Sequence, residues 1–233
     1  MPAPIGLHPT ADLAERVLLP GDPARALLLA ESLLERPKMF NHHRGLWGYT
    51  GLAADGAPAT IQSTGMGGPS AAIVVSELVD LGARRFLRVG TCGALQSEPR
   101  LGDLLAATEA IATDGTSQSL GAGERVSASA DLLPALAAVA EHAGPVVSTD
   151  LFYDPRGLER SWSAAGALAV DMECATLFAL AAARGVQAGA LLVVSDLVLP
   201  ARERIGQDEL RAAEQRMGRA ALRALGLVGA PQP

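Results

Sequence analysis

The sequence predicts a single α/β domain with a central mixed β-sheet flanked by helices. Three observations point there. Short runs rich in Val, Leu and Ile alternate with stretches of helical periodicity. Gly- and Pro-containing turns separate them, and no repeat or linker breaks the alternation over residues 1–233. Residues able to do chemistry collect just past the ends of the candidate strands, the usual place for ligands in open α/β sheets.

In chain order, Arg16-Val17-Leu18-Leu19 reads as a first strand closed by Pro20-Gly21-Asp22-Pro23. Pro23 then opens a helix carrying Leu27, Leu28, Leu33 and Leu34. A strand, a glycine turn and a helix N-terminus together form a phosphate-cradle arrangement. Arg25, in the first helical turn, opposes the helix dipole unless an anion is shared there. Asn41-His42-His43-Arg44-Gly45 is a polar loop before a hairpin over 46–52 and 59–63, turned at Asp55-Gly56. Thr64-Gly65-Met66-Gly67-Gly68-Pro69-Ser70 leads into a helix whose stripe Ile73, Val74, Leu78 and Leu81 is expected in the core, with Gly82 just past its end. That loop is neither a dinucleotide fingerprint nor a Walker loop.

Phe86-Leu87-Arg88-Val89 reads as a buried strand and Gly90-Thr91-Cys92-Gly93 as a tight turn after it. Two readings stay open: an anion site built on Arg88 and Thr91, or a core strand with Arg88 in a structural ion pair. A strand over 103–111 follows, then a polar surface excursion over 114–128 and a helix over 130–142. Val146-Val147-Ser148 is a strand leading to Phe152 and Tyr153. Residues 167–170 form another, which runs into Asp171-Met172-Glu173 and a helix ending near Gly185. Glu173 either caps that helix or faces a ligand. The most hydrophobic strand, 189–194, ends in Ser195-Asp196, with a loop over 197–206 and an exposed amphipathic helix over 208–225.

Composition limits the function. With 49% hydrophobic and 19% charged residues the chain is globular. A net charge of −6, with no Lys/Arg cluster, argues against nucleic-acid binding. No run approaches the roughly 20 apolar residues of a membrane span, and the first residues lack a signal-peptide pattern, so a cytoplasmic protein without membrane contact is expected. Cys92 and Cys174 lie in apolar surroundings, and His8, His42, His43 and His142 lack metal-ligand spacing, so no metal is expected. Gly21, Arg88, Thr91, Phe152, Glu173 and Asp196 all fall at strand ends. Cations in one place and carboxylates in another fit an anion plus a polyhydroxylated partner.

The segments LLPGDPARA (18–26), HRGLWGYTG (43–51), TGMGGPSAAI (64–73), RVGTCGA (88–94), DLFY (150–153), VDME (170–173) and VVSD (193–196) carry a resemblance. In order and spacing the chain resembles the nucleoside phosphorylase-I family, on the side of its hexameric bacterial purine members. The resemblance implies a phosphorylase/hydrolase-like domain with a distorted, barrel-like sheet, assembled as a trimer of dimers. It implies reversible phosphorolysis of purine nucleosides, with inorganic phosphate as co-substrate and no cofactor. Phosphate would be held by Gly21, Arg25, Arg88 and Thr91, and by Arg44 from an adjacent subunit. The nucleoside would meet His8, Phe152, Val170, Asp171, Met172, Glu173 and Ser195, with Glu173 and the Met172 backbone at the ribose hydroxyls. Asp196 would be the general acid toward purine N7.

Three departures accompany the resemblance. The family's N-terminal histidine position falls near Ile5, while His8 lies three residues later. The arginine that partners the family's acid does not align, leaving Arg202, Arg204, Arg211 and Arg216 as candidates. Asp171 stands where Glu is common, with a shorter reach toward ribose. Uridine phosphorylase is the alternative enzyme, but its longer pyrimidine-reading segment is absent: 154–169 is short and holds no Gln. A non-catalytic nucleoside-binding protein is the alternative of another class.

Overall fold

The computed structural model describes residues 4–227, so both ends of the expected 1–233 span lie outside the described residues. β1 (Arg16–Leu19) is buried throughout and leads through Pro20–Asp22 into α1 (Pro23–Leu33). Asp22 caps α1 by accepting from Ala24 N at 2.8 Å, and Pro23 sits where no N–H is needed. The helix buries Ala26, Leu29 and Ala30, whereas the expected Leu27, Leu28 and Leu33 are half-buried.

β2 (Leu34–Asn41) continues directly from α1 and was not legible as a strand: it is an edge strand, largely exposed, and carries Pro37. A 3₁₀ turn over His43–Gly45 precedes the hairpin of β3 (Gly48–Ala53) and β4 (Pro58–Gln62). α2 (Gly68–Asp80) ends at Gly82, which holds a φ of 116°. Its buried face is Ala71, Val74, Val75, Leu78 and Val79. Ile73 is 54% and Leu81 38% exposed, so only half of the expected stripe is core.

The remaining elements are β5 (Arg85–Ala94), β6 (Leu104–Ala112), α3 (Gly115–Ser119), β7 (Arg125–Ser127), α4 (Leu133–Ala137), β8 (His142–Ser148) and α5 (Glu159–Ala164). After them come β9 (Ala169–Asp171), α6 (Cys174–Arg184), β10 (Gln187–Leu197), β11 (Glu203–Arg204) and α7 (Gln207–Leu227). The expected helix over 130–142 shrinks to α4, because His142 is already needed opposite Leu105 to pair β8 with β6.

β5 organises the sheet. One edge runs parallel to β10 along its whole length, from Arg85 opposite Gln187 to Ala94 opposite Leu197. The other edge pairs first with β1, Leu19 opposite Arg88, and then with β9, Gly93 opposite Val170. β10 also pairs with β6, β6 with β8, and β8 with β9. The ring β5–β10–β6–β8–β9 therefore closes on itself, while β1, β4, β3 and β2 extend from it as an open wing. This is the mixed, barrel-like sheet that was expected.

The expected turn at 90–93 does not exist; β5 runs straight through it. Gly90 and Gly93 serve close approach rather than turning. A Cβ on Gly90 would lie 2.7 Å from the Arg88 guanidinium, and one on Gly93 would lie 2.6 Å from Val198 Cγ2.

Along β1, β5 and β10 successive residues alternate between two cores. Val17, Leu19, Phe86, Leu192 and Val194 pack on the side of α2 and α6. Leu18, Leu87, Leu191 and Val193 pack on the side of α1 and α7. α7 is amphipathic as expected but not an exposed helix: Ala213, Met217, Ala220, Ala221 and Ala224 are buried. Gly218 lets it approach α1, since a Cβ there would lie 2.5 Å from Leu29 Cδ2.

Residues 114–128 are largely at the surface, as expected, and are anchored through Asp114. Asp114 is fully buried; its carboxylate accepts from Ser117 N at 2.8 Å, Ser117 Oγ at 2.5 Å and Thr176 Oγ1 at 2.7 Å. It thus caps α3 and fastens it to α6. Asp114→Ala should cost about 1–3 kcal/mol in urea unfolding, because it strands buried donors. Asp114→Asn, which keeps one acceptor oxygen, should cost less.

Candidate active site

A cavity of about 630 Å³ opens at the C-terminal ends of β1, β5, β9 and β10. Its size is ordinary for a small-molecule site. Of the residues singled out from the sequence, Gly21, Arg25, Arg88, Thr91, Phe152, Val170, Asp171, Met172, Glu173, Ser195 and Asp196 line it.

At one end stands Arg88, buried on β5. Its Nε donates to Asp171 Oδ2 at 2.9 Å, and its NH2 lies 2.5 Å from Glu173 Oε2. Burial opposes the charge on Arg88, but Glu173 and Asp171 outweigh it and raise the arginine's pKa. Burial pushes the Glu173 carboxyl up, against the pull of Arg88. Glu173 Oε1 also accepts from Gly67 N at 2.6 Å, which ties the glycine loop before α2 to this cluster. Arg88 thus makes the structural ion pair and also faces the cavity.

Asp171 was expected to touch the nucleoside. Its side chain is instead fully enclosed, accepting from Arg88, from Ser148 Oγ at 2.6 Å and from Cys174 N at 3.1 Å. Its short reach makes it the positioning residue for Arg88 and the cap of α6, aided by Ser148 Oγ, which accepts from Ala175 N. The cap left open for Glu173 is thus filled by others, and Glu173 turns to the cavity.

Arg25 reaches the same end from α1, but its Nε donates to Glu214 Oε1 of α7 at 2.7 Å. Sequence gave no signal for Glu214, which is 189 residues away. The loop at Gly21 is laced to the loop at Gly65 through Gly65 N to Gly21 O at 3.0 Å. Here two guanidinium groups face three carboxylates, those of Asp171, Glu173 and Glu214.

At the other end is Asp196. A β-bulge at Ser195 shifts the register between Val194 opposite Cys92 and Asp196 opposite Gly93. Such a bulge re-aims the side chain that follows it. Asp196 Oδ2 accepts from Ser195 Oγ at 2.8 Å, and Oδ1 accepts from Arg204 Nε at 2.9 Å. The partner left open among four arginines is Arg204, because β11 folds back with Arg204 opposite Asp196. The expected loop over 197–206 therefore contains a short strand. Nearby, Arg202 Cζ lies 5.4 Å from the centre of the Phe152 ring, and Tyr153 packs edge-on against that ring at 5.0 Å. α5, also not foreseen, adds Glu159 and Trp162 to the wall.

His8 and Arg44 lie outside this chain's own cavity. His8 stacks on His43 at 3.7 Å, its backbone N donates to Asn41 Oδ1 at 2.9 Å, and Arg44 is the next residue of the same exposed turn. The segment before His8 is pinned by Glu77, which accepts from the backbone N of Ile5, Gly6 and Leu7. Cys92 is buried, and burial raises its pKa, so it packs rather than reacts. Among the described residues no cluster of His, Cys, Asp and Glu could hold a metal ion, and no helix is long and apolar enough to cross a membrane.

Comparison with known proteins finds relatives of this chain. The model of the family described as "Phosphorylase superfamily" matches residues 15–228. A DeoD-type purine nucleoside phosphorylase of Geobacillus kaustophilus is 37% identical over 208 residues, covering 85% of this chain and 88% of its own. The enzymes of the same name from Alkaliphilus metalliredigens and Jannaschia sp. are each 41% identical. They cover 81% and 84% of this chain, and 84% and 87% of their own lengths.

The crossing of Arg88 over Gly90 gives a direct test. A guanidinium end would ordinarily swing aside for a methyl group, but this one is held by two carboxylates. Gly90→Ala should destabilise the fold by about 1–3 kcal/mol in urea unfolding. Gly123→Ala, on an exposed loop with open space around it, should leave the midpoint unchanged.

Proposed function

The chain belongs to the phosphorylase superfamily, and on that premise we propose that it is a purine nucleoside phosphorylase, a pentosyltransferase. It splits purine ribo- and deoxyribonucleosides with inorganic phosphate, reversibly, to free base and (deoxy)ribose 1-phosphate. The relatives bear that name over most of both chains. Phosphate is a co-substrate and no cofactor takes part. Residues 1–233 act as one phosphorylase domain, in purine salvage in the cytoplasm.

One observation carries the reading: a buried arginine and a buried aspartate stand at different ends of one cavity. The Arg88 guanidinium lies over Gly90, and Asp196 stands level with Gly93 on the paired strand. Three residues of strand are roughly 10 Å, the scale of a phosphate beneath C1′ and a proton donor at N7. Phosphate sits with Gly21, Arg25, Arg88 and Thr91. Glu173 and the Met172 backbone take the ribose hydroxyls, and Phe152, Val170 and Ser195 border the base. As the C1′–N9 bond breaks, its electron pair goes to the purine and Asp196 delivers a proton to N7. A phosphate oxygen then bonds to C1′ from the opposite face, giving inversion. The nearby anion also offsets the positive charge that grows on the ribose.

The protein assembles as a homohexamer, a trimer of dimers. The charge balance supports this: the guanidinium groups of Arg25 and Arg88 are already matched by carboxylates, so a dianion calls for a further cation. Arg44 of a neighbour supplies it, with His8 of the same surface near the neighbour's ribose. Ile5 and Trp47 are exposed beside these residues, Met66 and Ile73 are exposed on the glycine loop and α2, and all four are apolar surface for such a contact.

The test is release of free base from inosine, guanosine, adenosine and uridine, with and without phosphate. Phosphate-dependent release from purines is expected. Release without phosphate, or from uridine alone, refutes the reading. Asp196→Asn should lower turnover about 100-fold or more, in the range of acid–base groups; unchanged turnover would remove Asp196 from the mechanism.

A further inference from the structure

We infer that Arg202 makes the cavity select 6-oxopurine over 6-aminopurine nucleosides. The inference rests on the phosphorolysis reading, with Asp196 at purine N7. β11 lies antiparallel on the end of β10, and Arg204 is bonded to Asp196 across that pairing. Whatever Asp196 touches therefore lies beside this segment. On a purine, the substituent at position 6 is on the same edge as N7. Position 6 thus falls next to the arginines.

Arg202 is two residues before Arg204, on the segment that leads into β11. Its guanidinium lies 5.4 Å from the centre of the Phe152 ring, and both side chains line the cavity. A base resting on Phe152 displaces that guanidinium from the ring toward the base's own edge. A guanidinium only donates hydrogen bonds. An oxygen at position 6, beside the N7 that Asp196 holds, accepts a charge-assisted hydrogen bond from that guanidinium. An amino group there would meet Arg202 donor to donor.

The adjacent carboxylates already serve other donors. Asp196 already accepts from Ser195 and Arg204. Asp154, also in the wall, accepts from Arg156 Nε at 2.8 Å and NH2 at 2.6 Å. Glu159 on α5 is the acceptor that would reverse the preference if the base turned its position 6 that way.

The experiment is kcat/KM for inosine and adenosine in saturating phosphate, for wild type and for Arg202→Met, Arg202→Lys and Arg202→Gln. Arg202 is exposed, so these variants should fold normally. Wild type should favour inosine by about tenfold or more, the scale of one charge-assisted hydrogen bond. Arg202→Met should remove most of that ratio by slowing inosine while leaving adenosine nearly unchanged. Arg202→Lys, still a pure donor, should keep the preference; Arg202→Gln, which can also accept, should narrow it. Equal rates or an adenosine preference in wild type, or a ratio unmoved in Arg202→Met, would overturn the inference. If wild type releases no base from any purine nucleoside with phosphate, the phosphorolysis reading falls first, and this one with it.

Discussion

A charged arginine in the middle of a strand is tolerable only if its charge is met at once, and Arg88 sets that condition for the rest of the structure. Stripping water from a guanidinium costs several kcal/mol, and here Asp171 and Glu173 offset it at 2.9 and 2.5 Å. The consequences spread outward. Gly90 must lack a side chain so that Arg88 can cross it. Asp171 must be satisfied in turn by Ser148 and by the first N–H groups of α6. Glu173 must draw Gly67 toward it. The strands, one helix start and one glycine loop are thereby fixed in register around one cation.

The same network sets a fixed charge on the cavity wall. Arg88 is buried enough to be held rigidly, yet it borders the cavity. Rigid, pre-aimed charge is what lets an enzyme act on an anion without reorganising around it. The far end of the cavity uses a different device. The bulge at Ser195 and the return of β11 set Asp196 between a hydroxyl and a guanidinium. The site is thus a cation locked by carboxylates at one end and a carboxylate locked by a cation at the other.

Charge also connects the site to assembly. Within one chain the cation end has no surplus positive charge, since Arg25 is matched by Glu214 and Arg88 by Asp171 and Glu173. The turn that carries Arg44 is exposed, holds Arg44 at a φ of 56° and shares its surface with the His8–His43 stack. An exposed cation on a constrained turn is a natural donor to a neighbour, which makes the subunit contact part of the proposed chemistry.

The sequence by itself determined the α/β class, the order of most strands and helices, and eleven of the residues that line the cavity. Alternating apolar runs and glycine turns report burial and backbone freedom locally. It did not reveal β2, whose exposed edge carries no apolar pattern, or α5, a helix of only 6 residues. It misread 90–93 as a turn because glycine looks the same in sequence whether it bends the chain or makes room for a side chain. Only the tertiary structure decided the partners. It gave Glu214 to Arg25, chose Arg204 for Asp196 from four arginines, and tied the Asp171 carboxylate to Arg88 and Ser148. Those outcomes depend on distances between residues far apart in the chain, and spacing along a sequence carries no information about them until the sheet has closed.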